Sequence, residues 1–223
     1  MARIMKTFQS KKELEIALSN QILNDLSVSI ANKNQATLLL SGGSTPKGVY
    51  ELLSEGDLDW SKITVGLVDE RFVSNTSTFS NENLLRQTFF QNNAIESAFI
   101  PMVQYLDDKI KNIKFLEQSY QVFKNADVVL LGMGEDGHTA SLFPNDLNSE
   151  LAFETSDLVV ITNAPTEPSC RISCSPVLLE SAQNSYLMIT GAKKKLILDT
   201  AVEKKLPMGH FLPQLKEIYY SEK

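Results

Sequence analysis

Residues 128–144 read Val-Val-Leu-Leu-Gly-Met-Gly-Glu-Asp-Gly-His-Thr-Ala-Ser-Leu-Phe-Pro, and no other stretch constrains the fold as strongly. An apolar run opening on two β-branched residues predicts a strand buried on both faces. It runs into Gly132, Gly134 and Gly137, which let the chain turn sharply and let a ligand approach the backbone. His138, one of two histidines in the chain, follows the last glycine, and Asp136 stands two residues before it. Open α/β sheets place their ligand sites at the carboxyl ends of such strands. Imidazole brings a group that titrates near neutral pH.

The same letters satisfy G-x-G-x-x-G, the dinucleotide fingerprint. That site needs an acidic residue about 20 positions on, ending a second strand. Asp157 has the separation but begins the apolar run 158–161, and His138 stands where the nucleotide helix should continue. The nicotinamide or flavin reading is therefore the weaker one. A tight turn carrying an incidental histidine stays open on these residues alone.

With 223 residues, 43% hydrophobic and 22% charged, the chain has the length and balance of one globular α/β domain. A formal net charge of −6 argues against a general nucleic-acid binder, whose affinity comes from paired phosphates. A small anionic ligand remains compatible, since a local cluster of donors overrides the global field. No apolar segment reaches membrane-span length, and residues 1–10 lack the apolar core of a signal peptide. Cys170 and Cys174 are the only cysteines, so the expected compartment is reducing and cytoplasmic. Neither has the neighbouring ligands a zinc site needs, and both are expected to be buried apolar residues.

Strand and helix signals alternate along the chain. Leu14, Leu18 and Ile22, with Leu23 and Leu26, recur at helical spacing over 10–33, and Ser10 with Glu13 fits a capping box. A short strand at 36–40 runs into Ser41-Gly42-Gly43-Ser44-Thr45-Pro46-Lys47-Gly48, where Thr45 suits an N-cap and Pro46 the first helical position. Free N–H groups at such a helix start form an anion site, or the glycines serve an ordinary turn. Gly-Lys-Ser/Thr is absent, so this is not a nucleotide P-loop. A strand at 63–68 ends in Asp69-Glu70-Arg71, three charges that either line a site or face solvent. A polar segment follows at 72–79, then a helix at 80–90 capped by Ser80-Asn81.

Ile110, Ile113, Leu116, Tyr120 and Phe123 predict a helix over 107–124. A polar loop is expected from Pro144 to residue 156, followed by strands at 158–162 and 171–175. Alternation in the second places Cys170, Ile172 and Cys174 on one face and Arg171 and Ser173 on the other. A short helix at 176–182 and a strand at 186–189 lead to Thr190-Gly191-Ala192-Lys193-Lys194-Lys195, which opens a helix through about residue 203. His210 falls in a loop with no evident partner. No repeat, low-complexity block or linker divides the chain, so one domain over 1–223 is expected. The alternation argues for an α/β fold: a doubly wound, mainly parallel sheet with helices on both faces. Its glycine loops and charges gather along the carboxyl edge of the strands.

Read together, Leu-Ser-Gly-Gly-Ser-Thr-Pro at 40–46, Asp-Glu-Arg at 69–71, Ser-Asn at 80–81, the long motif at 132–144, Arg-Ile-Ser at 171–173 and Thr-Gly-Ala-Lys-Lys at 190–194 carry a resemblance. Nearly the whole chain resembles the 6-phosphogluconolactonases of the glucosamine-6-phosphate deaminase/6-phosphogluconolactonase family. The deaminases are similar through the first loop and the Asp-Gly-His core, but continue His-Ile-Ala-Phe-Asn-Glu, with the glutamate assisting acid/base chemistry. Phe143 stands at that position here and cannot transfer a proton. One departure is Phe72-Val73-Ser74, where the family often has Val-Pro after the arginine, which leaves that loop's contacts open.

The resemblance implies a modified Rossmann-like fold. It also implies hydrolysis of 6-phospho-D-glucono-1,5-lactone to 6-phospho-D-gluconate in the oxidative pentose phosphate pathway. His138 would be the base that activates water, Asp136 the orienter of its imidazole, and Asp69 an active-site carboxylate for substrate orientation or proton handling. Arg171, Lys194 and the loop residues Gly42, Gly43, Ser44 and Thr45 would hold the phosphate, with Arg71 a further contact. Water attack on an ester carbonyl requires no redox cofactor, and no metal-ligand spacing appears, so neither cofactor nor metal is expected. The expected partner is a small phosphorylated sugar lactone, with no nucleic acid and no membrane, and the expected assembly a monomer or small homo-oligomer. Two other classes compete. One is a phosphosugar-binding regulator, for which residues 1–10 leave no room for a DNA-binding arm; the other is a nucleotide-dependent oxidoreductase.

Overall fold

The computed structural model describes residues 4–222; residues 1–3 and 223, at the ends of the expected unit and of the 1–10 segment weighed above, lie outside the described residues. In chain order the elements begin with β1 (Ile4–Phe8), α1 (Lys11–Lys33), β2 (Ala36–Leu40), α2 (Lys47–Ser54), β3 (Ile63–Leu67) and β4 (Asp69–Arg71). There follow α3 (Asn81–Thr88), β5 (Ala98–Phe99), α4 (Lys109–Ser119), β6 (Val128–Leu131), α5 (Leu147–Ala152) and β7 (Val159–Asn163). The last are β8 (Cys170–Cys174), α6 (Pro176–Glu180), β9 (Ser185–Thr190), α7 (Ala192–Thr200), α8 (Pro207–Phe211) and β10 (Glu217–Ser221).

Seven strands form a sheet in the order β1-β10-β9-β6-β2-β3-β5, every neighbouring pair parallel. β6 and β2 sit near its middle, and all four residues of β6 are buried, as a strand covered on both faces requires. This is the α/β arrangement that the alternating pattern implied. A cap starts α1: Ser10 Oγ accepts from Glu13 N at 3.3 Å, while Glu13 reaches back to Gln9 N at 3.2 Å. Leu14, Leu18, Ile22 and Leu26 of α1 are fully buried in the core.

Several local expectations are corrected. β4, β8 and β7 form a second, antiparallel sheet instead of extending the parallel one. The chain leaves the main sheet at Val68, whose carbonyl accepts from Cys174 N at 2.8 Å, so the three charges at 69–71 become a strand of their own. β1 and β10 add two strands to the expected set; each has only five residues, and they form by pairing, β10 between β9 and β1 and β1 on β10 at the sheet edge. Ile110 is 72% exposed, and the buried residue of that first turn is Asn112. Its amide ties down the preceding loop through Gln104 N, Tyr105 N and Met102 O, bonds an isoleucine could not make.

The segment after Pro144 is not all loop, because Asp146 accepts from Ser149 N at 3.0 Å and starts α5. Similarly, α2 begins one residue later than expected. Pro46 is its N-cap residue, and Thr45 gives the helix no capping bond. His210 lies in α8 and is not without partners: it has a hydrogen bond to Glu180 and edge-on contacts with the rings of Phe153 at 4.8 Å and Phe211 at 5.4 Å. Both cysteines are free; Cys174 is buried, which pushes its thiol well up, whereas Cys170 is partly exposed. Among the described residues, no helix is long and apolar enough to cross a membrane, and no group of three or more His, Cys, Asp or Glu could hold a metal ion.

Candidate active site

The carboxyl ends of β2, β6 and β9 open onto a cavity of about 270 Å³. Its wall includes Gly42, Gly43, Ser44, Thr45, Asp69, Arg71, His138, Arg171 and Lys194. Nine of the ten residues singled out in the sequence thus converge on one space. The tenth, Asp136, reaches it through His138.

The loop after β6 folds on itself. Gly134 N donates to His138 O at 2.9 Å and Gly137 N to Gly134 O at 3.1 Å, closing a turn that folds the imidazole back over Gly134. A Cβ at Gly134 would lie 2.2 Å from His138 Cε1, so only glycine fits beneath the ring. Asp136 Oδ1 meets His138 Nδ1 at 2.5 Å and also accepts from its backbone N–H at 3.1 Å. A carboxylate only accepts, so Nδ1 carries a proton, and in the neutral ring Nε2 is the nitrogen with the free lone pair. Burial alone would raise the Asp136 carboxyl, but the hydrogen bonds from the His138 ring and backbone, with the ring's charge whenever it is protonated, outweigh it and hold it below its ordinary value.

Opposite lies the positive side. β4 and β8 pair antiparallel with Arg71 directly across from Arg171, so two guanidinium groups stand side by side. Arg71 Nη1 donates to Phe79 O, and its buried Nε has no partner among the described residues. Arg171 Nε donates to Pro168 O at 2.8 Å. Burial and the neighbouring Arg71 lower the Arg171 pKa, against the pull of Asp69 and Glu70. Burial likewise lowers Lys194, in the first turn of α7, with Glu135 opposing. Cations disfavoured by burial and by one another are stabilised by an incoming anion.

The glycine loop after β2 adds neutral donors. Gly43 has φ +89°, a region open to glycine, and turns the chain toward α2. Among the described residues, the N–H groups of Gly43, Ser44 and Thr45 meet no acceptor, which fits an anion site at the entrance to a helix.

Asp69 is 7% exposed and rests on a polar cluster that the sequence did not reveal. Ser141 Oγ donates to its Oδ2 at 2.5 Å, and Asn81 Nδ2 donates to its backbone carbonyl at 2.9 Å. Ser141 N in turn donates to Ser173 Oγ at 3.2 Å, and Thr162 Oγ1 donates to Ser141 O at 2.6 Å. Glu70 points the other way. It accepts from Ser80 Oγ, Asn81 N, Glu82 N and Arg71 N at 2.7–2.8 Å, pinning the start of α3. Burial pushes its carboxyl above the ordinary value, and these donors limit the rise. Ser141 lies within the central motif and Asn81 within Ser-Asn, where the local pattern signals only a helix cap.

The fold and cavity together define an α/β protein whose histidine-bearing, cation-lined site lies at the carboxyl edge of a parallel sheet. Residues 9–220 match the family described as glucosamine-6-phosphate isomerases/6-phosphogluconolactonase, and the chain belongs to that family. It is 32% identical over 222 residues to a 6-phosphogluconolactonase of Helicobacter pylori, covering 96% of each chain. A 6-phosphogluconolactonase of Xylella fastidiosa is 36% identical over 196 residues, 85% of this chain and 81% of that one. Among solved structures, a 6-phosphogluconolactonase from Shewanella baltica superposes with a TM-score of 0.93 at 32% identity, covering 98% of this chain and 97% of that one.

Proposed function

We propose that this chain hydrolyses 6-phospho-D-glucono-1,5-lactone to 6-phospho-D-gluconate, the lactone-opening step of the oxidative pentose phosphate pathway. The observation that carries the reading is a histidine with a carboxylate-oriented ring facing the same small cavity as three cations. One end of such a site suits an ester carbonyl under attack by water, the other a phosphate. The relatives named above bear the name of that lactonase.

In the proposed reaction, Nε2 of His138 takes a proton from water as its oxygen attacks C1 of the lactone. Asp136 stabilises the imidazolium that results, since it already accepts from Nδ1. The tetrahedral intermediate then expels the ring oxygen, which takes the proton from His138 and leaves as the C5 hydroxyl. Arg71, Arg171, Lys194 and the N–H groups of the 42–45 loop hold the phosphate and fix the distance from C1 to the base. Asp69, braced by Ser141, orients the sugar hydroxyls or assists the proton transfer. The sequence of steps is redox-neutral and runs on these side chains, the loop N–H groups and water.

The test is a coupled assay of 6-phosphogluconate formation from freshly generated lactone, with spontaneous hydrolysis subtracted. Wild-type protein is expected to exceed the spontaneous rate, and His138→Ala to lower kcat by about 10²–10⁴-fold. A wild-type rate equal to the background would refute the activity. Near wild-type kcat in the variant would refute the histidine mechanism alone and turn attention to Asp69.

A further inference from the structure

We propose that Phe143 is a positioning residue, a single ring that fixes the imidazole of His138 and the guanidinium of Arg171 relative to each other. Phe143 is 5% exposed, yet it lies outside the contiguous apolar cluster that forms the core. Its ring contacts polar groups instead. The His138 ring lies against it at 4.6 Å between centroids, tilted by 47°, and the Arg171 guanidinium sits 5.8 Å from its centre. The second distance is within cation–π range, and burial strengthens that attraction.

The backbone of Phe143 is anchored as well. Its N–H donates to Ser149 Oγ at 2.9 Å, and Ser149 Oγ donates to Asp146 Oδ2 at 2.7 Å. Phe143 borders a second cavity of about 580 Å³, lined also by Pro144, Phe153 and Leu206, and not the cavity that His138 and Arg171 line. The ring therefore backs the site from behind. It is held by its backbone bond and touches the two side chains that face the cavity. Holding base and cation at one spacing matters for a substrate whose phosphate and carbonyl must be engaged together, because small misplacements cost large factors in rate.

The inference rests on the lactonase reading for its kinetics but not for its geometry. Two variants separate the ring from its bulk: Phe143→Leu removes the aromatic face and keeps an apolar side chain, and Phe143→Tyr keeps the face. Circular dichroism first establishes that both are folded. Phe143→Leu is expected to raise KM by about 3–30-fold through the lost cation contact and to lower kcat by roughly 10-fold or more through the freed imidazole. Phe143→Tyr is expected to retain both constants. If Leu leaves both constants unchanged, or if folded Tyr is as impaired as Leu, the ring has no positioning role and the proposal is overturned.

Two readouts do not need turnover. The His138 ring proton resonance in the NMR spectrum should move in Phe143→Leu, since a neighbouring aromatic ring displaces it, and inorganic phosphate should bind more weakly. Should wild-type protein fail to open the lactone, the proposed reaction falls while these two measurements still decide the role of Phe143. An unmoved resonance together with unchanged phosphate affinity would overturn it.

Discussion

Arg71 and Arg171 stand directly opposite one another in the β4–β8 register, and both line the cavity that holds His138. Placing two guanidinium groups side by side is unfavourable without an anion between them. Burial and Arg71 together already lower the Arg171 pKa. The pairing gives one wall of the cavity a concentrated positive charge.

Removing either of two of the cavity's cations should therefore weaken substrate binding. Arg171→Ala and Lys194→Ala are each expected to raise KM for the lactone by about 10–100-fold, from roughly 1.5–3 kcal/mol per charge-assisted contact. Circular dichroism should stay unchanged in both. Steady-state kinetics that return a wild-type KM for both variants would take these residues out of the phosphate site.

Gly134 gives a second route to the histidine. A Cβ there would fall 2.2 Å from His138 Cε1 and 2.7 Å from Asp136 Oδ1. Gly134→Ala should displace the pair and lower kcat by about 100-fold, near the lower end of the loss expected for His138→Ala. Kinetics showing full kcat would mean that the ring position seen here is not the working one.

Ammonia release distinguishes lactone hydrolysis from the deaminase reaction to which the chain's motifs are also similar. Phe143 offers no proton where the deaminases have an acid, so glucosamine 6-phosphate should yield no ammonia above background. An ammonia assay showing turnover comparable with lactone hydrolysis would overturn the assignment of this chain to the lactonase branch.

Acid stability should depend on Asp127, at the entrance to β6. Its carboxylate accepts from Lys33 Nζ at 2.5 Å, Ser29 Oγ at 2.7 Å and Thr37 N at 2.9 Å, joining α1 and β2 to the central strand. Burial raises this carboxyl, but the hydrogen bonds from Lys33, Ser29 and Thr37 outweigh it and leave it below its ordinary value. A carboxyl depressed in the folded state contributes stability above its unfolded pKa of about 3.9, and that contribution is lost as pH falls through the lower folded value. Asp127→Asn should therefore lose about 1–3 kcal/mol at pH 7. It should also show a shallower fall of Tm than wild type below about pH 4. Parallel Tm curves for the two proteins would place the acid sensitivity elsewhere.

What could be read along the chain was short-range. The capped start of α1, the buried strands β2 and β6, and the glycine turn that delivers His138 all follow from residues a few positions apart. Caps, apolar periods and backbone freedom act over that distance. The Asp136–His138 contact is of this kind, spanning two residues. Even so, local signals misled where a polar side chain had a distant task. Asn112 displaced an isoleucine from the buried face of α4 by bonding the loop before it.

The tertiary structure alone decided which distant segments meet. Arg71 faces Arg171 across 100 positions, and Ser141 reaches Asp69 across 72. Nothing in the segment around Asp69 announces that its strand will leave the parallel sheet and pair antiparallel with β8. Likewise β1 and β10, from opposite ends of the described chain, become strands only by docking, β10 onto β9 and β1 onto β10. Register and docking of this sort are set by the summed burial and hydrogen bonding of the whole fold, which no single window of sequence contains. The sequence by itself therefore determined the histidine's turn and its carboxylate partner. The cavity that sets them opposite two arginines exists only once both sheets have closed around it.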